Sequence, residues 1–176
     1  MICLSVLYPV LVYFGNRYLP PQVLALVLVL LVLGRRTSGF GVPISLWSVV
    51  AGLLLAVLAF GFNDSLPLKM YPVLVNGSLL VIFLSSLRYP PTIAERIARF
   101  RDPDLPQAAV AYTRKVTQAW CVFFTGNALV AFWTALRWPD QVWFYYNGII
   151  AYVLVGMMFA GEWMVRQRVL PGYHIQ

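Results

Sequence analysis

An all-α, polytopic bundle of six transmembrane helices is the fold that this sequence predicts. Of its 176 residues 61% are hydrophobic and 11% charged, whereas soluble domains average about 45–50% apolar and about 25% charged. So much apolar surface has no aqueous core to enter. The apolar residues also come in continuous runs rather than in alternation, which favours helices over a barrel, because in lipid only a hydrogen-bond ladder within the segment satisfies such a backbone. The thirteen Lys and Arg residues, finally, fall unevenly on the connections between runs, as the basic excess of cytoplasmic loops requires.

Taken in order, the runs occupy 1–14, 22–33, 43–62, 71–87, 117–136 and 141–165 within a single integral membrane domain, 1–176. The third, fifth and sixth are long enough to cross a hydrocarbon core of roughly 30 Å at about 1.5 Å per residue. The first two are short and must recruit flanking residues, so the first is read as either spanning or re-entrant. Six spans with the N-terminus on one side place ten basic residues on that side, namely Arg35, Arg36, Arg88, Arg96, Arg99, Arg101, Arg114, Lys115, Arg166 and Arg168. The other side receives Arg17, Lys69 and Arg137. Both termini are therefore expected to be cytoplasmic. Tyr71, Trp138, Trp143, Tyr145 and Tyr146 gather at the poorer side, as an interfacial aromatic belt would. The opening run has no basic region before it and no small-x-small site after it, so it is not expected to be a cleaved signal.

The longest polar stretch, 88–115, is read as a cytoplasmic loop carrying a short amphipathic helix over about 92–101. Pro90 and Pro91 open it and the run Asp102, Pro103, Asp104, Leu105, Pro106 closes it. Thr92 followed by Glu95 is a capping-box pattern, and Ile93, Ile97 and Phe100 fall on one face, with Arg96 and Arg99 elsewhere on the surface. Such a helix either holds anionic headgroups or a partner through its arginines, or lies on the bundle as a connector.

Polar residues inside the runs are few, and each needs an interior partner. Counting depth along the fourth, fifth and sixth spans puts Asn76, Asn127 and Asn147 in the outer half, next to Gly77, Gly126 and Gly148, whose small size is expected to allow close backbone approach. On the same count Arg88, Arg114, Lys115 and Glu162 lie about 18–22 Å deeper. An outer amide layer and an inner ionic layer are therefore expected. The asparagines are read first as hydrogen-bond glue and second as a substrate site, and Glu162 as the partner of a neighbouring cation such as Arg166. Gly156 and Ala160 form a small-xxx-small packing seam.

The chemistry-bearing inventory is thin. Cys3 and Cys121 lie in apolar runs, His174 stands near the end of the chain, and there is no phosphate-binding glycine pattern or metal-ligand spacing. Asp102 and Asp104 are read as helix terminators rather than a catalytic dyad. No catalytic residue, cofactor, metal or nucleic-acid partner is expected.

Two resemblances add to this reading. The segment from Leu7 to Phe14, the Arg35, Arg36 pair, the Lys69 region and the stretch from Lys115 to Phe124, with Ala119, Trp120, Val122, Phe123 and Phe124, are similar to the bacterial intracellular septation protein A family. Thr117 stands where that family usually has an asparagine, and Asn127 comes about one turn early. Arg88, Tyr89, Pro90, Pro91, Glu95, Arg96 and the run Tyr112, Thr113, Arg114, Lys115, Val116, Thr117 more closely resemble a related family of bacterial inner-membrane proteins. Its genes adjoin acyl carrier, ketosynthase, thioesterase and acyltransferase genes of aryl-polyene-type clusters. Neither family supplies a reaction. The resemblance implies the bacterial inner membrane and a non-enzymatic accessory role in cell-envelope or acyl-lipid assembly, with membrane lipids and assembly or biosynthesis proteins as partners. A small transporter or lipid-flipping component with a polar cavity at the asparagines is the alternative, and a membrane-bound acyl-lipid enzyme comes third.

Overall fold

The computed structural model describes residues 65–169, together with 9, 10, 12–15, 18–20, 23, 24, 26, 54, 57, 58 and 61. Apart from those positions, the expected spans over 1–14, 22–33 and 43–62 lie outside the described residues, as do the basic residues Arg17, Arg35 and Arg36 and both termini. Among the described residues all regular structure is helical: α1 (Leu66–Lys69), α2 (Tyr71–Arg88), α3 (Ile93–Arg101), α4 (Gln107–Arg137), α5 (Asp140–Tyr145), a π-helical turn (Tyr146–Ile150) and α6 (Ala151–Val169). Three stretches, Leu66–Arg88, Gln107–Arg137 and Asp140–Val169, are long and apolar enough to cross a membrane. The described part of the chain is thus all-helical and of membrane character.

Two boundaries differ from the sequence reading. The fifth span was expected from 117, yet α4 begins at Gln107. The Pro106 carbonyl accepts from the amides of Ala109 and Val110 at 2.9 and 3.1 Å, and the Gln-Ala-Ala-Val-Ala sequence that follows is rich in helix formers. Propensity, not apolarity, sets that end. The sixth run is one stretch, but the π-helical turn interrupts its α-helical ladder.

The chain divides into two compact units, one comprising 1–78 with 127–152 and the other 79–126 with 153–176. In the first, Leu68 is fully buried and Trp143 is 1% exposed. The Trp143 indole donates to the Lys69 carbonyl at 3.1 Å, and the Lys69 ammonium pairs with Asp140 at 2.6 Å. Those contacts fasten α1 to α5. Tyr13 stacks on Phe144 at 4.7 Å with Phe14 edge-on to the same ring, which places the 12–15 segment on the helix that leads into the π turn. A Cβ at Gly15 would meet the end of the buried Leu24 side chain, which would have to shift to admit it.

In the second unit an aromatic cluster joins three helices. Trp120 on α4 lies 6.4 Å from Phe83 on α2 and 4.9 Å from Phe159 on α6, with Phe124 between Phe83 and Trp120. Such pairs add about 0.5–1.5 kcal/mol beyond the burial of their area. Expectations about small residues are corrected. A Cβ at Gly77, Gly126 or Gly156 would meet nothing within 4 Å, and Gly156 and Ala160 are exposed. Of the glycines expected to allow close approach, Gly148 alone would have neighbours, Phe144 and Pro9, at ordinary van der Waals distance. The physical reason is that long side chains, not bare backbone, make the contacts: Asn76 and Asn127 reach across between α2 and α4, and Phe159 reaches Trp120 from α6.

Candidate functional site

The amides come first, since they are the polar groups most costly to leave unpaired. Asn76, Asn127 and Asn147 are all buried and all belong to the first unit. Asn127 on α4 donates to the Asn76 carbonyl oxygen on α2 at 3.0 Å, and its own Oδ1 accepts from the Tyr146 hydroxyl at 2.8 Å. Asn76 spends its Nδ2 on the Pro72 carbonyl at 2.8 Å. Asn147 is separate: it donates to the Trp143 carbonyl at 2.9 Å and to Thr134 at 3.5 Å. The π turn carries both Tyr146 and Asn147, and π turns are frequent at functional sites. Here the turn supplies two successive polar side chains to α4, to Asn127 from Tyr146 and to Thr134 from Asn147. Among the described residues no buried side-chain nitrogen or oxygen lacks a partner. The arrangement bridges helices, and its polar atoms are turned toward one another.

The second candidate is α3. Its first backbone amides would be orphaned by helix geometry, and three hydroxyls receive them. Ile93 donates to Ser86 of α2 at 3.2 Å, Ala94 to Thr117 of α4 at 3.4 Å, and Glu95 to the N-cap Thr92 at 3.3 Å. Thr117 is fully buried, and its hydroxyl donates in turn to the Thr113 carbonyl at 2.9 Å. At the other end Asp102 caps the helix and accepts from the Asp104 amide at 3.2 Å. The helix is therefore held at its start by two neighbouring helices.

That clamp fixes its rotation. Glu95 is turned inward at 6% exposure, while Ile97 and Phe100 are 65% and 92% exposed and Ile93 is intermediate. The stripe does not pack on the chain. The capping box is half made: Glu95 gives its carboxylate to Arg99 at 2.9 Å instead of reaching back to Thr92. Arg99 also donates to the Pro103 carbonyl and Arg96 to the Pro91 carbonyl, each at 3.0 Å. These bonds hold the two guanidinium groups against the ends of the helix.

The expected ionic layer is not one network. Glu162 pairs with Arg166 on its own helix at 3.7 Å, and its backbone carbonyl accepts from the Tyr112 hydroxyl at 3.0 Å. Arg88, Arg114 and Lys115 are exposed and enter none of the ion pairs among the described residues. With a counterion one turn away, Glu162 needs none of them. Among the described residues no three of His, Cys, Asp and Glu come together.

Sequence reasoning missed Ser86, Thr117, Thr134, the Tyr146 hydroxyl and the Lys69–Asp140 pair. Only the last had a signal, a cation and a carboxylate opening two runs on the same expected side. Thr117 offers a direct check of the clamp. Thr117→Val keeps the shape and removes the hydroxyl, leaving the Ala94 amide without its acceptor at a cost of about 1–3 kcal/mol. Hydrogen exchange at the start of α3 should accelerate in Thr117→Val and hold in Thr117→Ser; equal protection in both would show that the hydroxyl is idle. Compared with known proteins, the chain matches no family model, no curated protein and no solved structure.

Proposed function

We propose that the chain is an integral inner-membrane accessory protein of cell-envelope or acyl-lipid assembly, without chemistry of its own, that acts through α3 as a fixed docking surface. The observation that carries this reading is the pairing of a clamped helix start with exposed Ile97 and Phe100. A side chain as apolar as Phe100 at 92% exposure contributes about 1.5–3 kcal/mol when covered, and a helix already held in place loses little entropy when it docks. In this reading six spans and the ten-to-three partition of basic residues put α3 and both termini in the cytoplasm. There α3 meets headgroups or an assembly protein. The likeness to the septation protein A family and to the aryl-polyene-associated membrane proteins belongs to the same proposal.

The transporter alternative requires the asparagines to line a cavity. Asn76 and Asn127 are instead bonded to each other and Asn147 to Thr134 and the Trp143 carbonyl, so the accessory reading stands ahead of it.

Co-purification in mild detergent tests the docking surface. Ile97→Glu and Phe100→Asp should each reduce recovery of bound assembly proteins on the order of tenfold or more, whereas Arg96→Gln, which gives up a bond to the chain's own Pro91, should change it little. A ranking in which Arg96→Gln does the greater harm would remove the exposed Ile97 and Phe100 face from the interaction.

A further inference from the structure

A second surface, in the second unit, carries a more specific inference. Residues from Ala108 to Trp120 along α4 and from Met158 to Val169 along α6 enclose an open-sided groove of about 570 Å³. The α4 side recurs at helical spacing over twelve residues, about 18 Å at 1.5 Å per residue. Between Lys115 and Trp120 the α4 wall runs about 7.5 Å, room for several methylenes, and the volume lies in the range of about 300–1,000 Å³ typical of ligand clefts.

Residue size explains why the groove exists. Ala111 and Ala119 on α4 and Gly161 on α6 leave it unfilled, and a Cβ built at Gly161 would meet nothing within 4 Å. Charge marks its polar part. Lys115 lines it and enters none of the ion pairs among the described residues. Glu162 lines the groove too and is turned to Arg166, outside the lining, at 3.7 Å, which leaves the Lys115 ammonium free for an anion, with exposed Arg114 beside it in sequence. The Tyr112 hydroxyl, also at the groove, already donates to the Glu162 carbonyl.

We infer that this groove binds one acyl chain of an anionic phospholipid, the chain lying along Ala119 and Gly161 and the phosphate against Lys115. The apolar lining selects a hydrocarbon tail, and the unpaired Lys115 selects an anionic headgroup over a zwitterionic one. No residue of α3 takes part, so the site stands apart from the proposed docking helix.

The test is native mass spectrometry of the delipidated full chain titrated with phosphatidylglycerol and, separately, with phosphatidylcholine of the same acyl chains. Wild type should hold phosphatidylglycerol more tightly. Lys115→Glu should erase that preference, a loss of about tenfold as expected for one charge-assisted contact, while Arg168→Glu, the same charge change outside the groove lining, should leave it in place. Gly161→Leu fills the groove and should weaken both lipids; should it fail to fold, Ala119→Leu fills the facing wall and serves the same purpose. Phe100→Asp should leave lipid retention unchanged, which separates this result from the fate of the α3 reading. Equal binding of the two lipids, or equal effects of Lys115→Glu and Arg168→Glu, would overturn the headgroup assignment. Undiminished binding in a folded groove-filling variant would overturn the groove itself.

Discussion

Trp143→Ala is expected to destabilise the first unit by about 3–5 kcal/mol, the range for truncating a buried tryptophan. The residue is 1% exposed, so its removal leaves a cavity, and its indole is the donor to the Lys69 carbonyl. Two conservative variants divide these effects. Trp143→Phe keeps most of the ring and loses the N–H, which should cost about 1–3 kcal/mol for the unpaired carbonyl. Asp140→Asn weakens the ion pair with Lys69, but the Asp140 side chain is 45% exposed, and solvent screening limits such pairs to about 0–1 kcal/mol. Thermal melting in detergent should therefore rank the losses as Trp143→Ala, then Trp143→Phe, then Asp140→Asn. An Asp140→Asn variant less stable than Trp143→Ala would mean that the ion pair, rather than the packed indole, fastens α1 to α5.

What could be read from the sequence follows a physical division. Helices bounded by abrupt changes of polarity were legible: α2 ends at Arg88, against an expected 87, because Arg88, Tyr89 and the two prolines follow a mainly apolar run. The start of α3 was legible for a related reason, since Thr92 after two prolines is a cap with a known geometry, and Thr92 does accept from Glu95. The start of α4 was not, because an apolarity boundary marks where hydrocarbon begins, whereas a helix continues as far as propensity carries it. Depth counting placed the asparagines in the outer half of their helices, and the Asn76–Asn127 bond joins two of them. It says nothing of rotation about each helix, so Asn147 has Thr134 as its partner in place of the other amides. The inward turn of Glu95 was hidden by the same gap. Ser86 and Thr117, which set that rotation, sit within or at the edge of apolar runs, where hydroxyls can bond their own helix and so leave no trace in a hydropathy pattern.

Asn127→Leu should give the second large effect, and its sign chooses between the two readings of the amides. Leucine nearly matches asparagine in size but removes both a donor and an acceptor, leaving the Asn76 carbonyl oxygen and the Tyr146 hydroxyl without that partner. Interhelical hydrogen bonds in membrane proteins average about 0.6 kcal/mol with a maximum near 1.7, so two of them predict a loss of about 1–3 kcal/mol. Tyr146→Phe removes one and should cost about half as much. The double variant should fall short of the sum, because the Tyr146 bond is already absent once Asn127 is gone. Asn147→Leu, whose longer reach is the 3.5 Å contact to Thr134, should cost less than Asn127→Leu. If the amides are glue, all of these lower the melting temperature in detergent while complementation of a deletion strain persists. If they served a ligand, leucine would relieve buried polarity, stability would hold or rise, and complementation would fail. Lowered melting with retained complementation would therefore eliminate transport through this layer, and the opposite pair of results would restore it.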